Sequence, residues 1–343
     1  HRNHKLFGMR GRLVMGVQTR ADNIEAQIWH TQRHTRLVEC FEVANPCSNT
    51  APRVREFAAY VEDVLAIGSR VRLETGMRLS ELLWDVDDLD PETTTTTNSL
   101  TGTGARARLS PKLGVVYLAG DAVELSARLG GGAHTTDARA AVAGSTYGAF
   151  VRTWTGELGV LARPSHQLLA AAAIWASRVE PQLEWRHELD TAELVPATRR
   201  HGIEARVEAE LFPWLALDAS FGIARGHSTE GPIALAPRLI ASGGVSIHRD
   251  ASQASVRVRG LGPRATAVED LETQGYVVVD AVARHSFGRL GLELAIDNLL
   301  DTKWRESEQA GPIRVSRRVE AVDDLLFTPG VPLTVMVLGS YAW

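Results

Sequence analysis

Long apolar runs are missing from this chain of 343 residues. A membrane-spanning helix needs roughly 18 or more consecutive apolar residues, and the longest apolar stretch, Leu168–Ala176, falls well short. Helical membrane proteins are therefore excluded, whereas β-barrels are not, because their strands alternate and keep mean hydropathy near zero; here it is −0.09. Lysine is scarce: among 37 Lys and Arg, only Lys5, Lys112 and Lys303 are lysine. The formal net charge is −4, so nucleic acid is not the expected partner. Cysteine is limited to Cys40 and Cys47, and no CxxC motif is present. HExxH, GxSxG and a complete GxGxxG before a helix are also absent, so no catalytic or cofactor-binding signature is read. The chain opens on His1 without an initiator Met or a signal peptide. An exported protein needs a signal, so the N-terminus is expected to be processed or truncated.

What the chain does have is alternation with period two. In Arg70–Ser80, Val71, Leu73, Thr75, Met77 and Leu79 alternate with Arg70, Arg72, Glu74, Gly76, Arg78 and Ser80. A strand places the two sets on opposite faces. Ile203, Ala205, Val207, Ala209 and Leu211 likewise alternate with Glu204, Arg206, Glu208 and Glu210. Leu290, Leu292, Leu294 and Ile296 oppose Gly291, Glu293 and Asp297. A helix would scatter these apolar residues around its axis. About fifteen strands are read on this basis. Their spans are 6–19, 22–32, 54–66, 70–83, 105–118, 122–132, 152–162, 166–179, 200–211, 214–225, 239–249, 252–262, 275–286, 289–299 and 331–343. Many are long enough to cross a bilayer when tilted, which takes roughly 9–11 residues.

The connections alternate between short and long. Short turns are read at Arg20-Ala-Asp, Ile67-Gly-Ser, Ala119-Gly-Asp, Arg163-Pro-Ser, Pro213, Asp250-Ala and Gly288-Arg. Between them lie long polar segments, including Asp85–Gly104, Ala133–Phe150, Glu180–Arg199 and Asp301–Gly330. This is the layout of an outer-membrane barrel, with short turns periplasmic and long loops extracellular. The expected fold is therefore an all-β, antiparallel up-and-down transmembrane β-barrel. The first and last strands both descend toward the periplasm, which makes the strand number odd. Single-chain bacterial barrels have even numbers, so the chain is expected to be a partial barrel that begins partway through.

Several segments in order resemble the C-terminal barrel of TonB-dependent outer-membrane receptors. They are Glu56-Phe-Ala-Ala-Tyr-Val-Glu-Asp with Leu73-Glu-Thr-Gly-Met-Arg, then Leu109-Ser-Pro-Lys-Leu-Gly-Val-Val-Tyr, Arg200-His-Gly-Ile-Glu and Ala234-Leu-Ala-Pro. Ala295-Ile-Asp-Asn-Leu-Leu-Asp-Thr-Lys-Trp and Pro329-Gly-Val-Pro follow, before a last strand ending in an aromatic residue. The resemblance runs from about residue 50 to the end, and it implies a receptor that takes up a scarce ligand. The ligand class is a siderophore, another metal chelate or a cobalamin-like molecule, taken up in a TonB-dependent way. It also implies location in the bacterial cell outer membrane, with membrane lipid and the barrel assembly machinery as partners. The family's plug domain and energy-coupling box are not matched within residues 1–343, which are read as the C-terminal portion of the barrel. The TonB complex is a partner only through such a missing part. The alternative reading is a passive pore or structural barrel without energy-coupled transport. An enzyme is not expected, and neither is a cofactor.

Individual residues carry weaker signals. Cys40 and Cys47 lie in a polar stretch and read as a local disulfide in an oxidising compartment or as two free thiols. Val335, Val337, Tyr341 and Trp343 share one face of the last strand and resemble the signal read by the barrel assembly machinery. That strand is expected to lack its pairing partner on one side, leaving an open edge. Eleven histidines are dispersed and read as solvated side chains rather than a metal site. Asp85, Asp87, Asp88 and Asp90 form either a calcium-binding or a solvated acidic loop. Asn298-Leu-Leu-Asp reads as a turn closed by side-chain bonds to backbone. The charged face carrying Arg70, Arg72, Glu74, Arg78, Glu204, Arg206, Glu208, Glu210, Arg257, Arg259 and Glu293 would line a lumen. No ligand-binding residue is assigned.

Overall fold

A computed structural model describes residues 2–29, 31, 32, 35, 36, 48–89, 100–144, 149–186, 191–314 and 320–342. The chain begins with β1 (Arg2–Leu6) and β2 (Met9–Asn23), followed by the short strands β3 (Ala26–Ile28), β4 (Thr31–Gln32) and β5 (Thr35–Arg36). Then come β6 (Ser48–Ile67), β7 (Val71–Asp88), β8 (Gly102–Leu118) and β9 (Val123–Thr135). One short helix, α1 (Ala138–Ala143), precedes β10 (Phe150–Ser165) and β11 (Leu168–Val179). The strands continue with β12 (Gln182–Arg186), β13 (Thr191–Val195), β14 (Thr198–Phe212), β15 (Leu215–Ser228) and β16 (Gly231–Pro232). The last are β17 (Leu239–Arg249), β18 (Ser252–Leu261), β19 (Tyr276–Phe287), β20 (Leu290–Asp297), β21 (Arg305–Ile313), β22 (Val322–Pro329) and β23 (Thr334–Tyr341).

The expected all-β class holds, with seventeen strands in one sheet. Besides the short β3 and β16, that sheet contains β1, β2, β6–β11, β14, β15, β17–β20 and β23. Two compact units divide the chain. One comprises 1–116, 127–156 and 177–198, the other 117–126, 157–176 and 199–343. In the first, β2 pairs antiparallel with β1 and β6, and β6 with β7. In the second, β14, β15, β17, β18, β19, β20 and β23 pair antiparallel in that order.

Two of the expected strands are placed differently. The span 6–19 is interrupted by a two-residue turn at Phe7 and Gly8, with φ of 48° and 80°. Both residues are left-handed, as in the tightest hairpin turns. The sequence pattern hides the break, because Phe7 keeps the parity of Met9, Leu13, Met15 and Val17, whereas in the structure Leu6 and Met9, three positions apart, face each other across the turn. Arg20-Ala-Asp is not a turn, and the span 22–32 is not one continuous strand, since it holds the end of β2 and the separate short strands β3 and β4. β2 runs on to Asn23 and pairs Arg20 with Glu56 and Asp22 with Val54. A polar run read as a turn is thus a strand that continues past the apolar band. A smaller correction concerns Arg163-Pro-Ser, which belongs to β10. The polar segment after β9 contains α1, whose N-cap Asp137 accepts from the Arg139 amide at 2.9 Å.

Register shows which residues share a face. In the first unit, Met15 opposes Val61, and Val61 opposes Met77; Val17 opposes Ala59, which opposes Leu79. This apolar face is exposed, with Val17 at 83%. The opposite face is polar. Arg78 reaches Glu56 at 3.2 Å and Gln18 at 3.1 Å, Arg128 reaches Glu74 at 3.3 Å, and Lys112 pairs with Glu62. An apolar exposed face over a polar one inverts the soluble pattern and matches a lipid-facing wall. In the second unit the exposed face carries Val207, Phe221, Val245, Val256, Leu294 and Val337. Its short-turn end carries exposed Phe212, Trp214, Phe287 and Tyr341, with Phe212 and Trp214 stacked at 5.3 Å. Amphipathic aromatics at one end of an apolar band mark a membrane interface.

Candidate functional site

On the polar face, at the long-loop end, each unit packs loop residues against its strands. In the first unit, Leu82, Ala141, Ala149 and Phe150 form a buried cluster, with Val54 and Trp84 packed on it. Gly104 has to lack a side chain, because its Cβ would collide with the Trp84 ring. The Gly102-Thr-Gly opening of β8 therefore makes room for α1 and Trp84.

The second unit holds a cleft of about 680 Å3, lined by Trp175, Arg200, Gly226, Ile233, Pro237 and Arg238 among others. The Arg200-His-Gly-Ile-Glu segment builds its wall. A Cβ on Gly202 would lie 2.8 Å from the Trp175 ring. The absent side chain lets the indole lie flat on β14, and Glu204 accepts the Trp175 Nε1–H at 3.0 Å. Arg200 lies two residues away on the same face, in line with β-alternation. The Ala234-Leu-Ala-Pro segment forms the facing side. Leu235 takes a φ of 57° and its amide donates to the Ala265 carbonyl at 2.7 Å. Arg238 pairs with Glu272 at 3.4 Å. Ile233 covers Gly226, whose missing side chain leaves space for it.

The neighbouring loops are held by a buried carboxylate. The Glu308 side chain is fully buried and pairs with Arg305 at 2.9 Å and Arg264 at 3.5 Å. It also accepts from the Gln274 amide at 3.1 Å. This ties the β21–β22 hairpin to the segment between β18 and β19. The arrangement is built to hold and orient: an aromatic platform with a fixed indole, cationic guanidinium groups beside it, and loops tied above.

The residues singled out in the sequence fall in different places. Cys40, Cys47, Asp90 and Trp343 lie outside the described residues. Asp85 and Asp87 are taken by Arg53, at 3.1 and 2.9 Å. Asp88 is buried and accepts from the Leu100 amide at 3.1 Å. Charge pairing and backbone bonding thus occupy three of the four carboxylates considered for calcium. Among the described residues, no group of three or more His, Cys, Asp or Glu converges on a metal position. Val335, Val337 and Tyr341 stand exposed on one face of β23. Arg257 pairs with Asp218 at 2.8 Å and Arg259 with Asp280 at 3.4 Å, so these two arginines are neutralised by neighbouring carboxylates. Trp175 and Arg238 escaped sequence reasoning. The signal for Trp175 was Gly202 within a glutamate-bearing strand, and it becomes readable only once β11 is known to lie beside β14.

No curated protein matches the chain by sequence. Among solved structures, it is similar to the ferric-catecholate import receptor Fiu of E. coli K12, with TM-score 0.70 and 16% identity over 98% of this chain and 52% of that one. It is similar to the ferric yersiniabactin uptake receptor FyuA of Yersinia pestis, with TM-score 0.72 and 14% identity over 98% and 52%. It is also similar to the ferripyoverdine receptor of the Pseudomonas aeruginosa outer membrane, with TM-score 0.73 and 15% identity over 99% and 46%. The chain thus spans about half the length of these structures. The family described as TonB dependent receptor-like, beta-barrel, matches residues 2–299. With its alternating strands, exposed apolar face and short-turn aromatic end, the chain belongs to that family of bacterial outer-membrane β-barrels.

Proposed function

We propose that residues 1–343 are the C-terminal barrel portion of an outer-membrane receptor that takes up a scarce, anionic chelate in a TonB-dependent way. The observation that supports this reading is the cleft beside Trp175. Its long-loop end faces the cell exterior in the family layout, and it joins Arg200 and Arg238 to an indole held in place by Glu204. Guanidinium groups bind carboxylates and similar anionic oxygens through paired N–H donors, and an aromatic face suits the flat rings or apolar body of a chelate. The similar structures import ferric catecholates and ferric yersiniabactin or bind ferripyoverdine. A metal chelate is accordingly the preferred class over a cobalamin-like one. The plug and the contact to the TonB complex would come from the remainder of the protein, and the role is that of a receptor, not an enzyme.

The test uses the full-length protein in cells supplied with radioiron-loaded chelates, with and without dissipation of the proton gradient. Energy-dependent uptake is expected. Trp175→Ala and Arg200→Ala should each reduce apparent affinity about tenfold or more, the loss expected for a desolvated charge-assisted contact. Steady conductance in planar bilayers, with uptake indifferent to the gradient, would instead identify a passive pore.

A further inference from the structure

The lipid-facing side of β14 and β15 carries a second arrangement, which shares three residues with the cleft. Register pairs Arg199 with His227 and His201 with Arg225. These four residues continue the parity of the exposed apolar pairs Ile203–Ile223 and Val207–Ala219 on the same strands. By alternation they lie on the outward face, and all four are exposed. His201, Arg225 and His227 also line the cleft described above, whereas Arg199 does not. Among the described residues, neither Arg199 nor Arg225 pairs with a carboxylate. The acid of the adjoining turn is Glu230.

Directly below them the outward face is hollowed. A groove of about 700 Å3 is lined mainly by small or apolar residues, including Ala172, Ala205, Ala219, Phe221, Ala241 and Gly243. Larger side chains, such as Ile203 and Ile223, stand above it. Six residues separate Ala219 from Arg225, about 20 Å along a strand at about 3.4 Å each. With a strand tilt of roughly 40° this is about 15 Å along the membrane normal, half of a hydrocarbon core of roughly 30 Å. The groove therefore sits at acyl-chain depth, and the four basic residues sit at headgroup depth on the outer side.

We infer that this face binds one phosphate-bearing lipid of the outer leaflet, its acyl chain in the groove and its phosphate on Arg199, His201, Arg225 and His227. Charge complementarity and depth together select a lipid over a protein partner. An apolar protein segment would match the groove but would leave four basic side chains facing nothing of opposite sign. The inference needs the outer-membrane location but not the proposed uptake, and Arg199 and the groove residue Ala219 lie outside the cleft, so a failure of lipid binding at these positions is distinguishable from a failure of uptake.

The test is native mass spectrometry of the full-length protein in detergent, with lipid A as the probe and its dephosphorylated form as the comparison. Lipid A should be retained about tenfold or more in preference, since two membrane-adjacent arginines contribute about a factor of five each. Arg199→Gln with Arg225→Gln should abolish the preference. Ala219→Leu, which fills the groove and leaves every basic residue in place, should weaken retention of both forms. Heat-dependent gel mobility verifies that each variant is folded. Equal retention of the two forms by the natural chain would overturn the inference. So would unchanged preference in the double variant, or full displacement of lipid A by inorganic phosphate, which would mark an anion site without lipid specificity.

Discussion

Asn298 is 1% exposed and takes a φ of 53°. Its Nδ2 donates to the carbonyls of Thr302 at 2.9 Å and Val331 at 3.1 Å. Its Oδ1 accepts from the Thr302 amide at 2.9 Å, and its own amide donates to Asp280 Oδ1 at 2.9 Å. An amide is the one short side chain that both donates twice and accepts, and asparagine tolerates the left-handed backbone. Asn298→Ala should cost about 2–4 kcal/mol, since several buried backbone groups lose their partners at about 1–3 kcal/mol each. Asn298→Asp should be comparably damaging, because it removes both donors and sets a charge beside Asp280. Urea unfolding of the full-length protein in lipid vesicles, followed by gel mobility, measures both. A loss under about 1 kcal/mol for the alanine variant would contradict this account. The sequence motif Asn298-Leu-Leu-Asp was readable as a local turn closed by its side chain. The bond to Val331, 33 positions further on, was not readable, because local spacing carries no information about which distant carbonyl the loop brings back.

At the scale of the strand, faces were legible and ends were not. β14 illustrates both. Ile203, Val207 and Leu211 stand exposed on one side, while Arg206 and Glu208 lie on the other, 3.7 Å apart. Val207→Arg should lower folding stability by about 2–4 kcal/mol, the cost of a cation at the middle of a lipid-facing band. Glu208→Arg, one residue along, should change it by less than about 1 kcal/mol, because that face meets water and other charges. Folding into vesicles of a saturated phosphatidylcholine measures the pair. Similar losses for both would invalidate the assignment of faces. Strand ends escaped the sequence for a related reason. The apolar sequence pattern runs on through a two-residue turn such as Phe7-Gly8, because Phe7 keeps the parity of Met9 and Leu13, and polar residues beyond the apolar band, such as Arg20 and Asp22, look like turns although they are paired. Helix α1 was missed as well. Its signals are Asp137 and an alanine-rich stretch, and Ala140 and Ala141 are buried against tertiary partners. A six-residue helix has little stability without such packing.

For the whole molecule, the closing strand remains the feature most open to experiment. Thr334–Tyr341 pairs along its length with β20, from Asp297 opposite Thr334 to Leu290 opposite Tyr341. Val335, Val337 and Tyr341, together with Trp343, are proposed as the signal for the assembly machinery. Replacing Tyr341 and Trp343 by alanine in the full-length protein should reduce the folded fraction recovered from outer membranes about threefold or more, since two interfacial anchors are lost. Unchanged recovery would show that assembly is directed from elsewhere in the chain. The sequence by itself determined the class and the alternation of faces, and its ordered motifs pointed to the family. The class and the faces follow from a repeating local rule, that every second residue meets lipid. The tertiary structure alone decided where the strands end, which glycines yield space to Trp84 and Trp175, and how Arg200 and Arg238 come to flank one cleft. Those outcomes depend on the register between strands and on loops folding back, which are long-range pairings that local spacing does not encode.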